Sequence, residues 1–269
     1  MLKKEILDIF KDEKIKYAEA VPFDILTENP NSRKTFSFEV RSVIVFLIPY
    51  FSGLHTGNIS LYSMTKDYHL YCKMLEERII PKIKTVTGEA VLCADTSPVY
   101  ETEAASLAGL GMIGKNGLLI NDEYSSFVFI GGVFTPAPYH ALTDKKSFEK
   151  AYCPMCGKCF TACPVHLDKS KCLSCVTQKK GILTQQEAYQ IKKYGTVWGC
   201  DICQLACPYT EKMIKKGTVT EIDFFKNDLV CELTQNYIDS VTKEEFMQRA
   251  FSWRGKKTLE RNIEICGKK

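Results

Sequence analysis

No run of apolar residues in this 269-residue chain approaches the roughly 18–20 needed to cross a bilayer, so neither a spanning helix nor a membrane partner is expected. The N-terminus, MLKKEILDIFKDEKIKYAEA, is charged throughout and lacks an apolar core and a small-residue cleavage site. It therefore does not read as a secretory signal, and a cytoplasmic location is expected. Excess charge is scarce as well. The 36 Lys and Arg against 32 Asp and Glu leave a net +4, which permits a nucleic-acid partner without demanding one. Disordered, collagen-like and fibrous chains are excluded by composition, because 45% hydrophobic and 25% charged residues suit an ordinary globular protein. The length allows one large domain or two modest ones.

Cysteine, by contrast, is abundant and unevenly placed. Nine of 13 fall between Cys153 and Cys207, while Cys72, Cys93, Cys231 and Cys266 are scattered. In a reducing compartment such clustering argues for metal rather than disulfides. Cys153-x2-Cys156-x2-Cys159-x3-Cys163-Pro164 is the run that bacterial ferredoxins use for a 4Fe–4S cluster, the fourth cysteine serving the other cluster in two-cluster proteins. Short spacings let one loop wrap three corners of a cube. A second, damaged copy ends at Cys207-Pro208, with Cys203 and Cys200 at matching distances and the remaining corner on Val197. A cysteine between the motifs must replace it, Cys172 or Cys175. Two clusters result. One takes Cys153, Cys156, Cys159 and Cys207; the other takes Cys163, Cys200, Cys203 and that intervening cysteine. A pair of structural zinc sites is the alternative, but zinc sites seldom carry the run that ends in Cys-Pro.

The rest of the chain mixes helix and strand patterns. Leu2, Ile6, Ile9 and Phe10 stand at helical spacing, and a polar loop around Asn29-Pro30-Asn31 follows. Ser42–Ile48 reads as a buried central strand stopped by Pro49. A helix from Asp67 to about Val86 should break or kink at Pro81. Strands are expected at Ala90–Ala94, Leu118–Ile120 and Ser126–Phe134, with a short helix over Glu101–Leu107. TPAPYH at 135–140 reads as a linker, and a last helix is expected over Lys257–Cys266.

Two further features invite chemistry. Gly109-x-Gly111-x-x-Gly114 imitates a dinucleotide fingerprint, and Gly109-x4-Gly114-Lys115 a phosphate loop. A helical pattern precedes them and Asn116 replaces the magnesium-binding Ser or Thr, so neither reading holds. The glycines still imply a close backbone approach, to a neighbouring element or to a flat ligand. Asp95 ends a predicted strand, where α/β ligand sites often lie; its plainer role is to cap the helix that begins near Pro98.

Asp95-Thr96-Ser97-Pro98 with Glu101, then AGLGMIGKN, then the cysteines running into WGCDICQLACP, resemble the epoxyqueuosine reductase family. These are cobalamin-dependent iron–sulfur enzymes that finish queuosine synthesis on tRNA. SLYSMTKDYH at 60–69 and FSWRGKKTLERNIEI at 251–265 extend the resemblance over nearly the whole chain. It implies an α+β fold, with a nitroreductase-like cobalamin-binding domain over 1–145. A ferredoxin-like double-cluster domain with C-terminal helices follows over 146–269. The cobalamin has no protein histidine ligand, so His55, His69, His140 and His166 need no such role. Ser60, Asp95, Leu119, Ile130 and Asp201 match positions near that cofactor, and Cys172 matches the lone ligand between motifs, leaving Cys175 spare.

The implied reaction is a two-electron reduction of the epoxide on the wobble nucleoside to an alkene, with oxygen lost as water. Asp95 matches the proton donor, which must hold its proton near neutral pH, well above the usual ~3.9; burial beside the corrin would do that. The implied partners are a tRNA anticodon loop and an external low-potential electron donor. The sequence departs from the family at Met112, where a tryptophan is usual, and in the short loop PVHLDKSK before Cys172. YGTVWGCD also lacks an arginine that the family tends to carry, and the resemblance implies a short form, without the helical-repeat domain of longer members. The arginine and the repeat bear on phosphate contacts to tRNA. Two other readings are a paralogous cytoplasmic cobalamin reductase of a small molecule, akin to reductive dehalogenases, and a non-catalytic iron–sulfur electron carrier.

Overall fold

A computed structural model describes residues 2–267. Its chain divides into two compact units, one made of residues up to Tyr50 with Tyr71–Cys156, the other of Phe51–Leu70 with the residues from Gly157 on. The sequence reading divides the chain at 145/146; here the change falls at 156/157, and residues 51–70 belong to the second unit. Among the described residues no helix is long and apolar enough to cross a membrane.

The first unit is built on an antiparallel sheet. Its strands are β1 (Ala18–Pro22), β2 (Ser42–Pro49), β3 (Val91–Ala94) and, after a small hairpin of β4 (Met112–Ile113) and β5 (Leu119–Ile120), β6 (Val128–Thr135). The sheet order is β1-β2-β6-β3. All eight residues of β2 are buried, as a β-branched apolar run in the middle of a covered sheet should be. Phe46 of β2 lies opposite Gly131 of β6, and a Cβ on Gly131 would run into the Phe46 ring. The same ring packs 5.1 Å from that of Phe10 on α1 (Lys4–Asp12). Glycine is thus required where an aromatic side chain crosses the neighbouring strand.

Helix α2 (Tyr68–Thr87) buries Tyr71, Leu75, Ile79 and Ile83 at helical spacing and runs unbroken past Pro81. Pro81 and Glu77, whose carbonyl loses its partner, both lie on the exposed face of the helix, where solvent can replace the missing bond. Helix α3 occupies Glu101–Leu107, as its sequence predicts. The expected linker at 135–140 instead leads into a helical turn, α4 (Tyr139–Leu142). The Lys3 N–H donates to the Leu142 carbonyl at 2.8 Å and Leu2 bridges Thr143, so this segment is tied to the chain's start within the first unit.

The second unit is helical: α5 (Lys158–Ala162), α6 (Leu173–Thr177), α7 (Gln185–Tyr194), α8 (Ile202–Leu205), α9 (Pro208–Lys215), α10 (Gln235–Ser240), α11 (Lys243–Met247) and α12 (Lys256–Cys266). Trp198, Phe251, Leu259 and Ile263 form its core with Ile59 and Met64. Asn58 explains why residues 51–70 belong here. Its amide donates to the Leu233 carbonyl at 2.9 Å and accepts from the Leu233 N–H at 2.8 Å, as an added strand residue would.

Candidate active site and cysteine framework

Asp95 follows the last residue of β3 and stands exposed, with a left-handed φ of +63°. Aspartate tolerates that conformation better than most residues, yet it still has to be held there. The neighbouring segment does this. The Thr96 N–H turns back to the Ala94 carbonyl at 2.7 Å, and Ser32 Oγ donates to the Thr96 carbonyl at 3.0 Å. Asn29 donates from its side chain to Ser97 O at 3.3 Å and from its backbone to Pro98 O at 2.7 Å. Helix α3 begins at Glu101 with Tyr100 at its N-cap, so the plainer role of Asp95 as a helix cap does not apply.

Ala94 pairs with Gly131, which brings Asp95 to the sheet end beside Ile130. Ile130 and the buried Leu119 pack on one apolar cluster with Leu47 and Phe134. In the glycine segment, internal packing accounts for two of the three fingerprint positions. A Cβ on Gly111 would stand 2.6 Å from the Ile120 carbonyl, and one on Gly114 would press on Ile120 and Leu118 at 3.0 Å. Both are the cost of closing the tight β4–β5 hairpin. That hairpin also receives the first cysteine of the framework. Ile113 N donates to Ala151 O at 2.8 Å, Cys153 N to Ile113 O at 3.0 Å, and Lys115 N to Cys153 Sγ at 3.3 Å. Glu103 on α3 accepts from Lys150 at 2.6 Å and from Thr27 at 2.9 Å, tying both neighbouring segments to one helix.

In the second unit the Cys-Pro halves of the two motifs repeat in three dimensions. Cys159 is the second residue of α5, and Cys163 closes that helix ahead of Pro164. Cys203 is the second residue of α8, and Cys207 precedes Pro208, which opens α9. Helix α5 packs on α8. Burial first, then the charges of Asp201, Cys203 and Cys172, outweigh a backbone hydrogen bond from Ile202 and push the Cys200 thiol up to about 12. Cys172 in turn shares a hydrogen bond with Cys175, whose thiol is also raised by burial and by Cys172. Among the described residues no three Cys, His, Asp or Glu gather closely enough to chelate a single ion. A four-iron cube differs in needing its thiolates spread around it.

Ser60 and Asp201 come together in this unit, lining a cavity of about 280 Å³ with Leu61, Leu173, Thr196 and Cys200. Asp201 accepts from the Leu61 N–H at 2.7 Å and from Gln204 at 3.1 Å. Burial outweighs these bonds and pushes its carboxyl up to about 6. Gly199, with φ +72°, lies so close to Ser60 that a Cβ there would overlap the hydroxyl. The larger cavity, about 840 Å³, lies in the first unit among Phe23, Phe36, Arg41 and Tyr139 and collects none of the sequence-predicted residues. Sequence reasoning missed Asn29 and Ser32, which hold the Asp95 loop, and the Lys115 amide. The loop-forming Asn29-Pro30-Asn31 was a signal for a turn, but nothing local names the loop it grips.

No family model matches the chain. The epoxyqueuosine reductase of Lactococcus garvieae is 31% identical over 219 residues, which are 77% of this chain and 60% of that protein. That of Gloeobacter violaceus is 32% identical over 225 residues, 77% of this chain and 68% of that protein. The chain thus spans about three fifths to two thirds of the length of these relatives. Among solved structures, the epoxyqueuosine reductase of Streptococcus thermophilus superposes with a TM-score of 0.78 at 25% identity, covering 97% of this chain and 80% of that one. A second, an epoxyqueuosine reductase with an epoxyqueuosine-modified tRNA-Tyr stem loop, shares the fold with a TM-score of 0.78 at 22% identity, covering 98% and 80%. With its Asp95 loop and its doubled Cys-Pro motifs, this mixed helix-and-strand chain belongs to the epoxyqueuosine reductase family, a family of oxidoreductases.

Proposed function

We propose that this chain reduces epoxyqueuosine to queuosine in the anticodon loop of tRNA, using two 4Fe–4S clusters, cobalamin and an external low-potential electron donor. The observation that carries the reading is that a member of this family keeps its cysteine framework whole. Cys153, Cys156, Cys159 and Cys207 would hold one cluster; Cys163, Cys172, Cys200 and Cys203 would hold the other. The electrostatic influence of Cys172, and not of Cys175, on Cys200 supports Cys172 as the eighth ligand. The first unit would be the nitroreductase-like part and the second the ferredoxin-like part. Ser60, Leu119, Ile130 and Asp201 would lie against the corrin. The tRNA partner is suggested by the stem loop held in a protein of the same fold.

When bound, the clusters and cobalamin supply two electrons at low potential. With two protons these convert the epoxide to an alkene and release its oxygen as water, both C–O bonds being broken. Asp95 would donate a proton to that oxygen. Exposed in the protein alone, it needs bound substrate and cofactor to cover it and hold its proton near neutral pH. The Asn29 and Ser32 bonds keep its loop in place while this happens. The test is tRNA from a strain lacking the gene for this chain. Epoxyqueuosine should accumulate there and disappear when the chain is restored; tRNA carrying normal queuosine in the deleted strain would sink the reading.

A further inference from the structure

We propose that the backbone N–H of Lys115 tunes an iron–sulfur cluster, by donating to Cys153 Sγ and raising the reduction potential of the cluster that Cys153 holds. This rests on the two-cluster reading above. The geometry has two parts. Cys153 is fixed from behind, its own N–H bonded to the Ile113 carbonyl at 3.0 Å, so its sulfur is held over the hairpin turn. The turn then presents the Lys115 N–H to that sulfur at 3.3 Å, within range for a sulfur acceptor. Reduction adds one electron from the external donor to the cluster, and much of its charge falls on sulfur. A donor aimed at that sulfur therefore favours the reduced form more than the oxidised one.

The turn also makes the donor removable. Gly117 N donates to Gly114 O at 2.8 Å, which defines a turn with Lys115 in the second position. Lys115 and Asn116 are not among the residues with positive φ, whereas Gly117 has φ +81°. That second position of a type I turn accepts proline, which has no N–H. Lys115→Pro thus deletes the donor at a position where the turn accepts proline, but sets its Cδ against Cys153 Sγ; Lys115→Ala deletes the exposed ammonium and keeps the donor.

The experiment is an EPR-monitored redox titration of the reconstituted full chain in wild type and both variants. Lys115→Pro should shift one cluster about tenfold toward its oxidised form relative to Lys115→Ala, which is about 59 mV lower for a one-electron couple. The other cluster should not move. Equal potentials in the two variants would overturn the proposal. A Cys153→Ser protein that keeps every cluster signal would instead remove the ligand assignment beneath it. Because the proline ring also presses on Cys153 Sγ, wild type grown on [15N]lysine decides whether a shift reports the lost donor. Its reduced cluster should show a 15N coupling that Lys115→Arg, grown on the same label, has lost; a coupling unchanged in Lys115→Arg, or absent from wild type, rejects the donor.

Discussion

Asp95 is held in a backbone conformation that costs free energy, by hydrogen bonds from two residues more than sixty positions earlier in the chain. Such holding is worthwhile where a side chain must meet a reacting atom at one angle. Asp95→Asn keeps the size and the tolerance for left-handed φ but cannot donate an acidic proton. Turnover is expected to fall by about 10²–10⁴-fold, with iron content unchanged by colorimetric assay; full turnover would leave the chain an electron carrier. Glu103, on α3, is held by different forces. Burial alone would raise its carboxyl, but the hydrogen bonds from Lys150 and Thr27 outweigh this and hold it below its ordinary 4.5. A carboxyl lowered on folding stabilises above its unfolded value, and that contribution is lost as pH falls through the lowered one. Melting temperatures of wild type should therefore drop below about pH 4.5 more steeply than those of Glu103→Gln. Parallel curves would show that the clamp contributes nothing.

Elements with a strong local pattern were legible in the sequence, and those defined by partners were not. The unbroken apolar run of β2 and the short helix α3 match their predicted spans closely. The five residues of β1 carry no alternation, because all are buried, and the sequence reading has no strand there. At Pro81 the helix is not interrupted, and TPAPYH misled; the outcome at each depends on what faces it. Pro81 and Glu77 lie on an exposed face, and the N-terminal segment bonds to the end of α4. At the candidate site the pattern repeats. The Cys-Pro runs declare themselves by spacing, whereas the grip of Asn29 and Ser32 on the Asp95 loop is long-range and has no local signature. Gly131 tests how tightly β2 and β6 are matched. Gly131→Ala must displace the Phe46 ring or the strand, and should cost about 1–3 kcal/mol in chemical denaturation; an unchanged midpoint would show that β2 and β6 have room to spare.

At the scale of the whole molecule, the two units differ in what organises them. The first has a sheet core with residues such as Ile44, Phe46 and Leu47 fully buried. In the second, the motif helices are only four to eight residues long, too short to be stable alone, and α5 buries none of its side chains. Loading with iron is therefore expected to contribute much of the order around them. Anaerobic reconstitution should give about eight irons per chain, two cubes of four. Cys172→Ser should lose about half of them and Cys175→Ser none; the reverse result would exchange the two assignments.

Every residue from 151 to 172 is exposed or half-buried. A stretch that long without a buried side chain has little to resist local opening, and proteases cut what opens. Iron starvation or air should then be recorded as a nick: limited proteolysis of the metal-free chain is expected to cut first within 151–172, and loading should suppress that cut. The cell's own proteases would read the same difference, so the lifetime of this polypeptide would follow its metal supply. Its abundance would thus be set after translation, by whether the cubes are in place.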